Sequence, residues 1–226
     1  MGKSTRLLFV LSFFSGESVL GFTRKIRSAA ICPDCRRYSF TRCARTQAPQ
    51  AELVQGRAEC LPWGNALVDR VFCLNAFHHF RDKPAFLAEA RRVLRPNGRV
   101  LVVGLDPHSE SDRWFIYDYF TGTREIDKCR YPPTSCIREW MQAAGFSDCV
   151  TQEAEHIVAQ LPARAAIEQK RLDKMVTSQL SVLTDDEYQH GIKRIRNALT
   201  LAETQGERLS LSMDLRLHAT FGVVDS

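Results

Sequence analysis

At 226 residues the chain is long enough to bury a full hydrophobic core and too short for two ordinary domains. Its 31 Lys and Arg against 26 Asp and Glu give a formal net charge of +5, spread along the chain rather than gathered into a stripe, which argues against nucleic acid as a partner. Eight cysteines in a chain that is neither short nor loop-rich point to free thiols in a reducing, cytoplasmic setting rather than to a disulfide framework.

The N-terminus has the outline of a secretory signal peptide: basic residues up to Arg6, then an apolar run from Leu7 to Phe14. The run has no small-x-small cleavage site directly after it and is too short to span a bilayer, and no other stretch approaches membrane length, so no membrane association is expected. Residues 21–46 are rich in Arg and Cys and show neither a helical nor a strand period, which predicts a poorly packed segment. Within it, Cys32-Pro33-Asp34-Cys35 has the spacing of half a zinc site, but no second pair completes it, and no metal is expected. Legible pattern resumes at Ala48, which divides the chain into an unassigned segment, 1–47, and an α/β domain, 48–226.

In that domain Ala51–Val54 is a short strand candidate, and Val68–Asn75 is the apolar run of a buried parallel strand. Lys83–Leu94 reads as an amphipathic helix with Phe86, Leu87, Ala90 and Leu94 on one stripe, stopped by Pro96-Asn97-Gly98. Arg99–Leu105 is a second buried strand. A strand, a helix and a strand in this order form a right-handed βαβ unit, so the two strands are expected to be adjacent, central and parallel. Thr134–Ala144 reads as a helix capped by Thr134 or Ser135 and ended by Gly145. Phe146–Gln152 suits a strand, and Leu161–Leu180 and Thr184–Ala202 carry long helical patterns, the second with acidic residues at its start. The β-rich stretch from Arg208 to Val224 closes the chain. With the strand at Phe146 it predicts an antiparallel edge hairpin.

Three blocks carry the chemistry: Gly56-Arg57-Ala58-Glu59-Cys60-Leu61-Pro62-Trp63, Val68-Asp69-Arg70-Val71-Phe72-Cys73-Leu74-Asn75-Ala76-Phe77-His78-His79-Phe80, and Arg92-Val93-Leu94-Arg95-Pro96-Asn97-Gly98-Arg99-Val100-Leu101. Their order and spacing resemble the core of the class I, Rossmann-like S-adenosylmethionine-dependent methyltransferases, in particular the ubiquinone/menaquinone-type subgroup. The resemblance implies an α/β parallel sheet, S-adenosylmethionine as cofactor and a small-molecule substrate. It also implies that Arg57, Ala58 and Glu59 face the adenine and that the backbone at Leu74 and Asn75 lines the methionine half. Arg57 stands where the family has an acidic residue, so recognition there falls to the Ala58 backbone.

Several residues have plainer readings. Asp69 fits a hydrogen-bonded residue opening its strand better than a catalytic acid. His78 and His79, as neighbours on a regular strand, would point to opposite faces and could not share a metal. Tyr117-Asp118-Tyr119-Phe120 either reaches the mouth of the substrate pocket or forms a stripe covering the sheet.

The family's glycine-rich turn and the acidic residue after its second strand belong upstream of Ala51; residues 1–47 contain no match to the turn, and the only acidic residue between Gly21 and Gln47 is Asp34, inside the cysteine cluster. The fold expected is therefore a Rossmann-like parallel sheet with its first strand-helix unit lost or degraded, either through an altered reading frame or misjoined start, or through divergence. Cofactor binding is expected to be weak or absent. Two rivals stand beside the enzyme reading: a non-catalytic methyltransferase-like binding or regulatory module, and a nicotinamide-dependent dehydrogenase, which the lack of a Tyr-x-x-x-Lys motif disfavours.

Overall fold

The computed structural model describes residues 6–11, 27–31, 52–53 and 56–226. Its strands are β1 (Arg6–Leu11), β2 (Arg27–Ile31), β3 (Glu52–Leu53), β4 (Val68–Leu74), β5 (Leu94–Leu105), β6 (Arg113–Trp114), β7 (Ser147–Pro162) and β8 (Ser210–Val223). Its helices are α1 (Lys83–Val93), α2 (Phe115–Tyr119), α3 (Thr123–Arg130), α4 (Thr134–Ala143), α5 (Ala163–Glu168), α6 (Ser178–Ser181) and α7 (Asp185–Thr204). The residues form two compact units, one of Met1–Leu105, Pro132–Ala154 and His218–Ser226, the other of Asp106–Tyr131 and Glu155–Leu217.

The first unit is built on the sheet order β3-β2-β1-β4-β5-β8, with β7 beyond β8. β1, β2, β3, β4 and β5 pair in parallel, and the register Val71↔Val100 to Leu74↔Val103 makes β4 and β5 the adjacent parallel strands expected from their apolar runs. Two of these strands lie where the sequence showed no strand-helix unit: β1 pairs with β4 from Leu7↔Arg70 to Leu11↔Leu74, and β2 pairs with β1. The strand of that unit is therefore present, formed from the first part of the leader-like apolar run. The segment after it, where the family would place its glycine-rich turn and helix, and the Cys32–Cys35 pair lie outside the described residues.

α1 forms where its stripe predicts. Asp82 caps it by accepting from the Ala85 amide at 2.9 Å, and Pro84 fits its first turn, where a missing N–H costs nothing. Phe86, Leu87, Ala90 and Val93 are all fully buried, against a core that includes Val71, Cys73, Val100 and Val102 from the sheet. Burying a side chain of this kind contributes roughly 1.5–3 kcal/mol, so this face is what fixes α1 to the sheet. Phe86 also packs on Phe77 and Phe80, with ring centroids 5.9 and 4.8 Å away.

Pro96-Asn97-Gly98 does not end an element but forms an irregularity within β5. Partners shift from Val68↔Leu94 to Arg70↔Arg99, and Asn97 takes a left-handed φ of 62°. The excursion is tied to the chain end, since Asn97 donates to the Val224 carbonyl at 2.8 Å and Val224 to the Gly98 carbonyl at 2.9 Å. Gly98 is needed there because a Cβ would sit 2.6 Å from the Arg95 carbonyl oxygen.

α4 buries Ile137 and Met141 and ends at Gly145, whose φ of 87° is the left-handed stop that the sequence predicts. Its cap differs from expectation: Pro133 holds the N-cap position, and neither Thr134 nor Ser135 does. β7 and β8 form the antiparallel closing pair, as the cross-strand contacts Thr151–Thr220 and His156–Asp214 show by advancing in opposite directions along the two strands.

In the second unit the helix predicted over Leu161–Leu180 is not continuous. β7 runs on to Pro162, α5 is short, and Lys170 takes a φ of 54°, which breaks the helical path before α6. The apolar residues of that stretch are buried from separate pieces, Leu172 at 3% and Leu180 at 1% exposure. α7 starts as its sequence predicts: Thr184 and Glu187 form a reciprocal capping box. Tyr117, Asp127 and Arg130 form a polar group in this unit. The Tyr117 hydroxyl donates to Asp127 at 2.9 Å, and Arg130 lies 3.3 Å from the same fully buried carboxylate. Burial raises the Asp127 pKa, against hydrogen bonds from Tyr117 and Gln179 and the Arg130 charge, which lower it.

Among the described residues no helix is long and apolar enough to cross a membrane.

Candidate cofactor site

Parallel strands end on one edge, and along that edge the sheet order of the first unit reverses between β1 and β4. Such a reversal opens a crevice at the carboxyl ends of the strands, where open α/β sheets bind their ligands. The register Leu11↔Leu74 brings β1 and β4 to the same level there.

Leu74 is the last residue of β4 and Asn75 leaves it with a φ of 47°. Asparagine accepts this left-handed geometry better than most residues. The Asn75 amide donates to the Val103 carbonyl at 2.9 Å, so the strand end is fixed in place, while the residue itself is exposed. What remains for a ligand is the Asn75 carbonyl and its side-chain amide, which offers an acceptor oxygen beside two N–H donors. The two acceptor oxygens could take an ammonium and the amide N–H groups a carboxylate.

The loop after β3 carries the other three candidates. Arg57 and Cys60 make an isolated bridge, with the Cys60 amide 3.1 Å from the Arg57 carbonyl, so Ala58 and Glu59 sit in a tight turn. Ala58 is fully buried and Arg57 largely exposed. The Glu59 carboxylate turns towards the protein: it accepts from the amides of Arg81 at 3.0 Å and Asp82 at 3.4 Å, and Arg57 lies 3.6 Å away. Burial works to raise its pKa, but the hydrogen bonds from its own amide and those of Asp82 and Arg81, with the Arg57 charge, hold it below the usual value. Glu59 thus joins the loop after β3 to the segment after β4.

The other residues singled out in the sequence fall elsewhere. Asp69 lies at the amino end of β4, paired with Arg95 at 3.2 Å, a strand-opening residue held by its partner. His78 and His79 are not on a strand but in a 3-10 turn over Phe77–His79, with ring centroids 3.9 Å apart. Among the described residues no group of three or more His, Cys, Asp or Glu is placed to hold a metal ion. In the second unit Tyr117 is engaged with Asp127, and Phe120 is 1% exposed and stacked on Tyr188.

Sequence reasoning missed two residues that shape the loop. Glu89 on α1 accepts from the Leu61 amide at 2.7 Å, and Arg92 donates to the carbonyls of Leu61 at 3.0 Å and Trp63 at 2.7 Å. The block beginning at Arg92 marked the position without revealing what it binds.

Comparison with known proteins agrees with this fold. The methyltransferase domain family matches residues 16–102. The phthiotriol/phenolphthiotriol dimycocerosates methyltransferase of Mycobacterium leprae is 41% identical over 72 residues, 32% of this chain and 27% of that protein. The ubiquinone/menaquinone biosynthesis C-methyltransferase of Francisella tularensis subsp. holarctica is 29% identical over 115 residues, 43% of this chain and 46% of that protein. The chain thus spans less than half the length of either relative. Among solved structures, the YcgJ protein of Bacillus subtilis superposes with a TM-score of 0.59 at 17% identity, over 99% of this chain and 93% of that one. Phosphoethanolamine N-methyltransferase 2 of Haemonchus contortus, in complex with S-adenosyl-L-methionine, superposes with a TM-score of 0.55 at 13% identity, over 100% of this chain and 50% of that one. Residues 16–102 therefore carry a methyltransferase domain match, and the chain has the Rossmann-like fold of the class I methyltransferases.

Proposed function

We propose that this chain is an S-adenosylmethionine-dependent methyltransferase acting on a small molecule, with weakened affinity for its cofactor. The observation that carries the reading is the strand reversal at β1 and β4, with the Arg57–Glu59 loop and the Leu74–Asn75 strand end on the same edge of the sheet. Bound there, S-adenosylmethionine supplies a methyl group activated on a sulfonium. The chain's part is to hold that group in line with an acceptor and to exclude water, which calls for positioning more than for a dedicated acid and base. Arg57, Ala58 and Glu59 are the adenine-side residues in this reading, and Leu74 and Asn75 the methionine-side residues. The dimycocerosates and ubiquinone/menaquinone methyltransferases among the relatives support a small-molecule acceptor, and the Francisella match supports the ubiquinone/menaquinone-type subgroup.

The weakening follows from the sequence between β1 and β2, which has no glycine-rich turn, and from the lack of an acidic residue at the end of β2, the first one beyond it being Asp34 between Cys32 and Cys35. Losing one or two charge-assisted hydrogen bonds at roughly 1.5–3 kcal/mol each lowers affinity by more than about tenfold. Calorimetric titration with S-adenosylmethionine and S-adenosylhomocysteine tests both parts. Saturable binding weaker than about 10 μM is expected. Tighter binding overturns the weakening, and no binding at millimolar ligand favours the non-catalytic module.

A further inference from the structure

The loop that would face the adenine has little secondary structure of its own. Beyond the Arg57–Cys60 bridge and a bond from the Trp63 amide to the Leu61 carbonyl at 2.8 Å, it depends on side chains of α1. Glu89 and Arg92 lie one helical turn apart and form a two-point ion pair, Oε1 to Nε and Oε2 to Nη2, both at 2.7 Å. The same pair occupies both backbone groups of Leu61: Glu89 Oε2 accepts its N–H at 2.7 Å, and Arg92 Nη2 donates to its C=O at 3.0 Å. Arg92 Nη1 continues to the Trp63 carbonyl at 2.7 Å and to Asn65 Oδ1 at 3.0 Å. Pro62, between them, has no N–H to give. The guanidinium fork is thus fully used, in a geometry that an ammonium cannot reproduce.

At the other end of the loop Glu59 binds the Arg81 and Asp82 amides at the start of α1. One helix therefore holds the loop at both ends. That helix is immobilised by four fully buried side chains, Phe86, Leu87, Ala90 and Val93. An isolated ion pair on a helix surface contributes little to the helix. The additional bonds to Leu61, Trp63 and Asn65 show that this pair holds a loop.

We infer that Glu89 and Arg92 are positioning residues that set the conformation of the 57–63 loop and, through it, the affinity for the adenosyl part of the cofactor. The second clause rests on the methyltransferase reading; the first does not. If the pair served only the helix, exchanging the two residues would restore it. If it positions the loop, the exchange fails, because an arginine at 89 presents donors to the Leu61 N–H.

The test uses the full chain and three variants: Arg92→Met, Arg92→Lys and the exchange Glu89→Arg with Arg92→Glu. Hydrogen exchange without ligand is read at the Leu61 and Ala58 amides, with Ala90 inside α1 as the internal reference. Titration with S-adenosylhomocysteine gives the affinity. In Arg92→Met and in the exchange variant, Leu61 should exchange at least about tenfold faster while Ala90 is unchanged, and ligand affinity should fall by a similar factor; Arg92→Lys should lie between. Wild-type protection of Leu61 in the exchange variant overturns the inference. Faster exchange at Leu61 with unchanged affinity overturns its second clause. If the wild-type chain binds no S-adenosylhomocysteine, the methyltransferase reading fails and the exchange rates alone decide whether the pair holds the loop. Should Arg92→Met not fold, Arg92→Lys gives the same comparison with the charge retained.

Discussion

Gly191 lies in the middle of α7, where replacement by alanine is usually favourable. The gain in helix propensity is about 1 kcal/mol. Here a Cβ would stand 2.2, 2.5 and 2.8 Å from Cδ1, Cε1 and Cγ of the Phe120 ring. All three distances are shorter than a carbon–carbon contact allows, so the ring must move. It has little room, being 1% exposed and stacked on Tyr188 at a centroid distance of 6.0 Å. Overpacking of this severity belongs at the upper end of the usual range, about 3 kcal/mol. Gly191→Ala should therefore destabilise by about 2 kcal/mol net, or roughly 4–8 °C in Tm for a chain of this size. Denaturant and thermal unfolding followed by far-UV circular dichroism measure it. A double-mutant cycle identifies the cause: in a Phe120→Ala background the clash is gone, and Gly191→Ala should become stabilising by about 1 kcal/mol. A neutral or stabilising Gly191→Ala in the wild-type chain would refute the packing argument.

Glu89 gives a pH dependence. Its hydrogen bond from Arg92 is the largest influence; with the Leu61 amide and the Arg92 charge it outweighs burial and lowers the carboxyl pKa below the ordinary 4.5. The unfolded chain then binds more protons just below that pH, so this stability is complete above pH 4.5 and is lost as the pH falls through the folded-state value. The stability difference between wild type and Glu89→Gln, from urea unfolding, should shrink as the pH drops below 4.5, and a constant difference would contradict the assignment. Cysteine labelling separates buried from exposed thiols: burial raises the Cys73 pKa strongly, whereas Cys60 and Cys129 are exposed. With a maleimide near neutral pH, peptide mass spectrometry should find Cys60 and Cys129 modified and Cys73 untouched in the native chain. Equal rates at Cys73 and Cys60 would contradict the packing of β4.

The centre of the fold was legible because β4, α1 and β5 announce themselves by different periods, two continuous apolar runs around a stripe at helical spacing. β1 was not. A continuous apolar run shows no alternation, so Leu7–Leu11 has the same hydropathy as a leader segment, and only its pairing with β4 tells them apart. The break at Lys170 was hidden for a related reason, since apolar residues from separate short pieces can mimic one long helical stripe. At the site, the strand end at Leu74 and Asn75 could be placed from the β-run alone. The roles of Glu59, Glu89 and Arg92 could not, because each depends on backbone groups 22 to 31 residues away along the chain.

The central claim is that the crevice at the ends of β1 and β4 is a cofactor site bounded by the Arg57–Glu59 loop and the Leu74–Asn75 strand end. Backbone NMR chemical-shift mapping with saturating S-adenosylhomocysteine tests it most directly. Among the described residues, the amides with the largest perturbations should cluster at Arg57, Ala58, Glu59, Leu74 and Asn75. Saturable binding that leaves those five amides unmoved and perturbs a different surface would contradict it.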